Sequence, residues 1–268
     1  MRTGRVKVIR DRPSPVVWAL ALFLTMLMVY ILTLSGQYAR ALRQTAPAER
    51  RAGGARVTKE IALEPLTLWC VRFGGYDTAE AARVEAARFT ARGAAGYVLE
   101  ADGTYLLLGA GYAQKAEAER VSERLAAEAG IEGGVVSREA GAVRLRITAE
   151  EGQIEEVVAV DAALRQYTEQ MASLALRLDR AEIRSDAART VLTVLAAQLR
   201  ERLRVLKEIP GEDAVFRGLT AEAEALAAAL EVLAHENAAP EAALSGKIKY
   251  AYIAARLGYI DFLRGLKK

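Results

Sequence analysis

The sequence predicts an α+β protein in three parts: an N-terminal transmembrane helix, a βαββαβ unit of the ferredoxin or RNP type with a four-stranded antiparallel sheet, and an α-helical bundle. Three observations carry this prediction. An uncharged apolar run lies near the N-terminus, the middle of the chain alternates β-prone runs with Ala-rich helical stretches, and from residue 149 onward apolar residues recur at spacings of three and four. A charged fraction of 26% beside a hydrophobic fraction of 52% is ordinary for a globular protein and excludes disorder of the whole chain. The formal net charge is only +3, so composition points to no nucleic-acid partner.

Residues 1–15 read as a basic tail carrying Arg2, Arg5, Lys7, Arg10 and Arg12, and residues 16–35 as the membrane span. Val16 to Leu34 holds no charge and includes Trp18 and Tyr30. At a helical rise of about 1.5 Å per residue, such a run crosses roughly 30 Å of hydrocarbon. The competing reading is a cleaved secretory signal with its site at Ala39-Arg40-Ala41, but the apolar stretch exceeds the usual core of such signals. Arg40, Arg43, Arg50 and Arg51 make the far flank basic as well, so orientation rests on the large segment that follows the span. Long domains translocate largely regardless of charge. The expectation is a single-pass protein of the cell membrane, N-terminus cytoplasmic and C-terminal domains extracytoplasmic.

Residues 36–65, with Pro47, Gly53-Gly54 and a closing Pro65, read as a basic linker. A compact domain is expected over 66–148. Leu66 to Phe73 is an apolar, β-prone run ending at Gly74-Gly75, and Asp77 followed by Glu80 is a helix-start pattern leading into an Ala-rich stretch that ends at Gly93. Tyr97–Glu100 and Tyr105–Leu108 read as two strands joined across Asp102-Gly103, a strong hairpin signal. A second helix runs from about Gln114 to Gly130, and a last β-prone stretch takes in Val135, Val136, Val143, Leu145 and Ile147. The two halves echo each other, Gly75-Tyr76 before one helix and Gly111-Tyr112 before the other, as two similar βαβ units would.

Residues 149–268 read as an α-helical bundle or coiled coil. Thr148-Ala149-Glu150-Glu151 has the form of a capping box, and Val160, Leu164, Tyr167, Met171, Leu174 and Leu178 form a stripe that Leu192, Leu195, Leu199, Leu203 and Leu206 continue. A turn is expected near Arg180 to Ser185, one continuous helix being the alternative, and Pro210-Gly211 and Asn237–Pro240 separate the later helices. Short connections favour antiparallel neighbours.

Cys70 is the only cysteine and His235 the only histidine. No intrachain disulfide, Ser/His/Asp arrangement, nucleotide-binding glycine loop or metal-ligand cluster can be assembled from this inventory, so neither enzyme activity, cofactor nor metal is expected. Adjacent acidic pairs such as Glu150-Glu151 point in different directions on a helix and read as solvated faces.

The segment from Leu68 to Ile147 resembles the SPOR domain, the sporulation-related repeat of bacterial division and envelope proteins. The resemblance lies in Val71-Arg72-Phe73-Gly74-Gly75-Tyr76, in Ala82 through Phe89 to Gly93, in Asp102-Gly103-Thr104-Tyr105-Leu106-Leu107-Leu108-Gly109, and in Ala118, Val121 and Leu125. It implies the βαββαβ arrangement and binding of peptidoglycan glycan strands stripped of stem peptides, across the exposed face of the sheet, which brings the owner to the septum. This chain departs from the family pattern where Arg72 replaces a usual Gln and where Leu106 and Leu108 replace polar or basic residues.

Strand alternation places Trp69, Val71, Phe73, Tyr105 and Leu107 toward the two helices and Leu68, Cys70, Arg72, Leu106 and Leu108 on the opposite face. That face is apolar where a glycan groove would present hydrogen-bonding groups and an aromatic platform. Left in water it is costly, so Leu68, Cys70, Leu106 and Leu108 are expected to be covered, by the C-terminal helices or by a second copy of the domain. Arg72, Tyr76 and Tyr112 stand as candidate glycan-binding residues at the rim. The expected function is a membrane-anchored, peptidoglycan-binding protein of the division or sporulation machinery, with protein partners or self-association through the C-terminal helices. The alternative is a scaffold whose SPOR-like domain mediates association without glycan.

Overall fold

The computed structural model describes residues 56–207, 214–236 and 240–267. The span expected at 16–35 and the linker up to residue 55 lie outside the described residues. Among the described residues no helix is long and apolar enough to cross a membrane.

The chain order is β1 (Arg56–Leu63), β2 (Leu66–Tyr76), α1 (Ala79–Thr90), β3 (Tyr97–Ala101), β4 (Thr104–Tyr112), α2 (Lys115–Ala129), β5 (Val135–Ala140), β6 (Val143–Glu150), α3 (Glu151–Asp179), α4 (Ser185–Lys207), α5 (Ala214–Ala234) and α6 (Glu241–Gly265). Strands β2 to β5 form an antiparallel four-stranded sheet in the order β3-β4-β2-β5. Its β3–β4 hairpin turns on Asp102 and Gly103, both at positive φ (50° and 77°), the pair of conformations that a two-residue turn matching the strand twist requires.

Local chemistry shifts several expected boundaries. Helix α1 is capped by Thr78 rather than Asp77: Thr78 has the extended backbone of a cap, and its Oγ1 accepts from the Ala81 N–H at 3.2 Å. Helix α3 is capped by Glu150, two residues later than Thr148, because Thr148 and Ala149 are still paired in β6, and the Glu150 N–H donates to Gln153 Oε1 at 3.2 Å. The turn at 180–184 is present and has the hydrogen bonds of a Schellman motif. Glu182 N–H donates to the Arg177 carbonyl at 2.9 Å and Ala181 N–H to that of Leu178 at 3.0 Å, with Ala181 left-handed at φ 53°.

Two expectations about strands are corrected. Residues 56–63, assigned to the linker, form β1, and the single β-prone stretch ending the compact domain is two strands split at Gly141-Ala142. β1 pairs antiparallel with β6, from Arg56↔Glu150 to Leu63↔Val143, and stands apart from the four-stranded sheet. Thr58 and Thr148 hydroxyls meet at 2.8 Å and Arg146 bonds Glu60 at 2.8 Å across this ribbon. Two strands alone are marginal in water. The ribbon is held because Leu63, Val143, Ile147 and Ala149 are buried in the same core as Ile154 and Val157 of α3. The ribbon leads directly into the sheet, where Leu66 pairs with Ala140. The four-stranded lobe therefore sits on a two-stranded stem, its ends at Glu64-Pro65 and Gly141-Ala142.

Helices α3 to α6 form an antiparallel bundle. Arg189 of α4 reaches the Glu236 carbonyl at 2.7 Å, Arg200 pairs with Glu231 at 2.6 Å, and Lys207 pairs with Glu224, so α4 and α5 run in opposite directions. Met171, Leu192, Leu199, Leu226, Leu230, Ile248 and Ile260 fill the interior. Stem and bundle are tied by Arg165 of α3, whose Nη2 donates to the Glu64 carbonyl at 2.7 Å while its Nε pairs with Asp161 at 3.2 Å.

The candidate ligand surface of the sheet and its cover

The sheet has two covered faces. Helices α1 and α2 pack on one, with Val71, Ala82, Ala86, Leu107 and Ala118 buried there and Phe73 meeting Phe89 edge-on at 4.8 Å. On the other, Leu68 and Leu108 are wholly buried and Cys70 nearly so, within the same apolar cluster as the bundle. Leu106, half-buried, packs against that cluster together with Tyr97, Leu99 and Val136. The covering element is α6, which contacts all four strands.

Several contacts fix α6 along the sheet. Near its start, Lys249 Nζ donates to the Gly93 carbonyl at 2.7 Å and pairs with Asp179 at 2.7 Å. Tyr250 lies against Tyr97 of β3 with ring centroids 5.1 Å apart. At mid-helix, Tyr252 and Ile253 press onto Gly111, where a Cβ would come within 3.1 Å of Ile253 Cγ1, Leu68 Cδ1 and Tyr252 Cε1. Near its end, Arg264 Nε donates to the Glu139 carbonyl of β5 at 2.8 Å.

The rim candidates are not brought together. Arg72 is half-buried and committed to the chain itself: its N–H donates to the Gly134 carbonyl at 2.8 Å and its Nε to that of Gly133 at 2.6 Å. Tyr112 pairs with Trp69 and Tyr76 with Tyr105 at the other end of the β2–β4 ladder. The seven residue steps from Trp69 to Tyr76 separate the two tyrosines by about 23 Å of strand. Burial pushes the Tyr112 phenol up to about 12, with Asp179 adding to the shift. Tyr76 lines an open groove, formed with Thr78, Glu80, Ala81, Val84 and Glu85 at the start of α1. Burial and then Glu85 raise its hydroxyl above the ordinary tyrosine range. An aromatic edge beside two carboxylates can offer apolar contact and hydrogen-bond acceptors to a polyhydroxylated ligand.

Residues 65–138 match the SPOR domain family. The match coincides with the four-stranded lobe and excludes the β1–β6 ribbon and the bundle. SPOR domains are binding domains, in general peptidoglycan-binding modules of division proteins. No curated protein and no solved structure matches the chain.

The SPOR domain's sequence pointed to an apolar sheet face, but α6 as the element lying on it was missed. A signal was present. Besides a stripe for the bundle, α6 carries Tyr252 and Ile253 together with an interior Gly246, more apolar and small positions than one buried face needs. Among the described residues no group of three or more His, Cys, Asp or Glu side chains could hold a metal ion. His235 is exposed and bonds the Glu231 carbonyl through Nδ1 at 2.7 Å.

Proposed function

We propose that this chain is a single-pass, membrane-anchored envelope protein of the bacterial division or sporulation machinery that is directed to denuded peptidoglycan glycan by its SPOR domain and acts by binding rather than catalysis. The match of residues 65–138 to a family of generally peptidoglycan-binding modules carries this reading. The uncharged run from Val16 to Leu34 supports the anchor, and the open groove beside Tyr76 supplies a surface with suitable chemistry. In this reading the bundle serves protein partners or self-association on the outer side of the membrane.

The test is co-sedimentation of the full-length chain with purified sacculi before and after amidase treatment. Retention that rises when stem peptides are removed, and that falls at least fivefold in Tyr76→Ala, is the expected result. A second reading is favoured by one observation, the apolar cover of the sheet by α6: a scaffold in which the SPOR domain serves association alone. Absence of retention on either form of sacculus, with a fluorescent fusion spread evenly around dividing cells, would favour that scaffold.

A further inference from the structure

We infer that the sheet face of this SPOR domain is a receptor for a protein helix, α6 of its own chain, and takes no saccharide. The inference concerns the same domain as the wall-directed reading but does not depend on it.

Chemistry of the face is the first argument. Leu68, Cys70, Leu106, Leu108 and Gly111, the positions that β2 and β4 turn toward α6, offer nothing beyond a thiol for hydrogen bonding. A glycan strand brings a hydroxyl on almost every ring carbon. Burying those hydroxyls against leucines without partners is unfavourable, whereas an apolar helix flank loses nothing there. Arg72 of β2 already spends its Nε on the Gly133 carbonyl.

Shape is the second. Both partners carry a glycine where the other approaches. On the sheet, Gly111 leaves room for Ile253 and Tyr252, as a glycine inside a strand does where another element comes close. On the helix, a Cβ at Gly246 would come within 2.6 Å of the Ala94 carbonyl oxygen and 3.1 Å of that of Thr90. An interior helical glycine weakens a helix relative to alanine, and the contact with the SPOR domain is what requires it here. The two close approaches lie at different points along α6, with Lys249 bonding Gly93 between them and Arg264 bonding Glu139 toward the helix end. A surface merely shielding grease would need neither the two glycines nor these polar contacts.

Cys70 reports on this interface. It is the single cysteine and lies 3% exposed under α6, so a maleimide reaches it only when the helix lifts. The experiment measures the labelling rate of Cys70 in the full-length protein with and without glycan strands released from amidase-treated sacculi, alongside sedimentation. Labelling is expected to be slow and to change less than twofold at saturating glycan. Gly246→Leu, which favours the helix but collides with Ala94, is expected to raise the rate at least tenfold without increasing glycan retention above that of the unaltered protein. Should that variant fail to fold, Lys249→Ala with Arg264→Ala loosens both ends of the same contact, and the same rise is expected.

Glycan that accelerates Cys70 labelling, a loosened variant that gains retention, or loosened variants that leave Cys70 as protected as before would each overturn the inference. Retention by the unaltered protein with Cys70 still protected leaves both the wall-directed reading and this inference standing. No retention in any form removes the wall-directed reading and leaves the helix receptor in place.

Discussion

Ala181 ends α3 in a left-handed conformation, φ 53°, that glycine adopts without strain and alanine does not. Its two Schellman hydrogen bonds depend only on backbone, so Ala181→Gly keeps them while removing the penalty. The variant is expected to be more stable by about 0.5–1 kcal/mol in urea unfolding. A loss would show that the alanine methyl makes a contact worth more than the strain. Glu222, on α5, is pushed above the ordinary carboxylate range by burial and then by Asp261, and Glu156, on α3, by burial against the pull of Arg202. A carboxyl that holds its proton more tightly folded than unfolded adds stability as pH falls through its raised value, and the gain is complete once pH is below the unfolded value. Glu222→Gln should therefore raise the melting temperature at neutral pH and flatten its rise as pH falls toward the ordinary carboxylate value; an unchanged slope would place the titration elsewhere. At this scale the sequence was readable where residue type dictates conformation, as at Asp102-Gly103. It was unreadable where conformation opposes type, as at Ala181, or where a hydroxyl and a carboxylate stood side by side as rival caps at Thr78 and Asp77.

Elements were legible in proportion to how local their causes are. The β3–β4 hairpin, α1, α2 and the four bundle helices follow from turn chemistry and periodicity within a few residues. β1 does not, because its partner β6 lies roughly ninety residues along the chain and its own run is short on apolar residues, broken by the adjacent charges Lys59-Glu60, and follows an Arg-rich stretch. The split between β5 and β6 was marked only by Gly141. Two predictions belong here. Gly103→Ala leaves space unchanged, since nothing lies within 4 Å of an added Cβ, yet forces alanine to φ 77°. It should cost about 1–2 kcal/mol, all from the backbone. Leu108→Ala empties a fully buried position between sheet and α6, and is expected to cost about 2–5 kcal/mol in denaturant unfolding. A loss below 1 kcal/mol would mean that α6 is not the tight cover described above.

In the whole molecule, the SPOR domain and the bundle share one apolar cluster, running from Leu66 and Leu68 through Leu164 to Ile253 and Leu263. Unfolding followed by far-ultraviolet circular dichroism and by Cys70 exposure should therefore coincide in one transition. Two separated transitions would show lobe and bundle to be independent bodies. That the sheet would be covered could be anticipated from its leucines, but which helix covers it could not. α6 follows three other bundle helices, and its placement depends on bundle topology; its surplus of apolar and small positions marks a second buried flank without recording what lies on it. The stem has a consequence of its own. Because Leu63 faces Val143, the chain leaves the ribbon and returns to it at one point, and the intervening lobe is a guest threaded into a host of ribbon and helices. Replacing residues 64–142 with a tight Asn-Gly turn would excise the guest without rerouting any other strand or helix. The host left behind would bear a greasy flank on α6 with nothing against it, and such a remnant would be drawn to pair with its own kind.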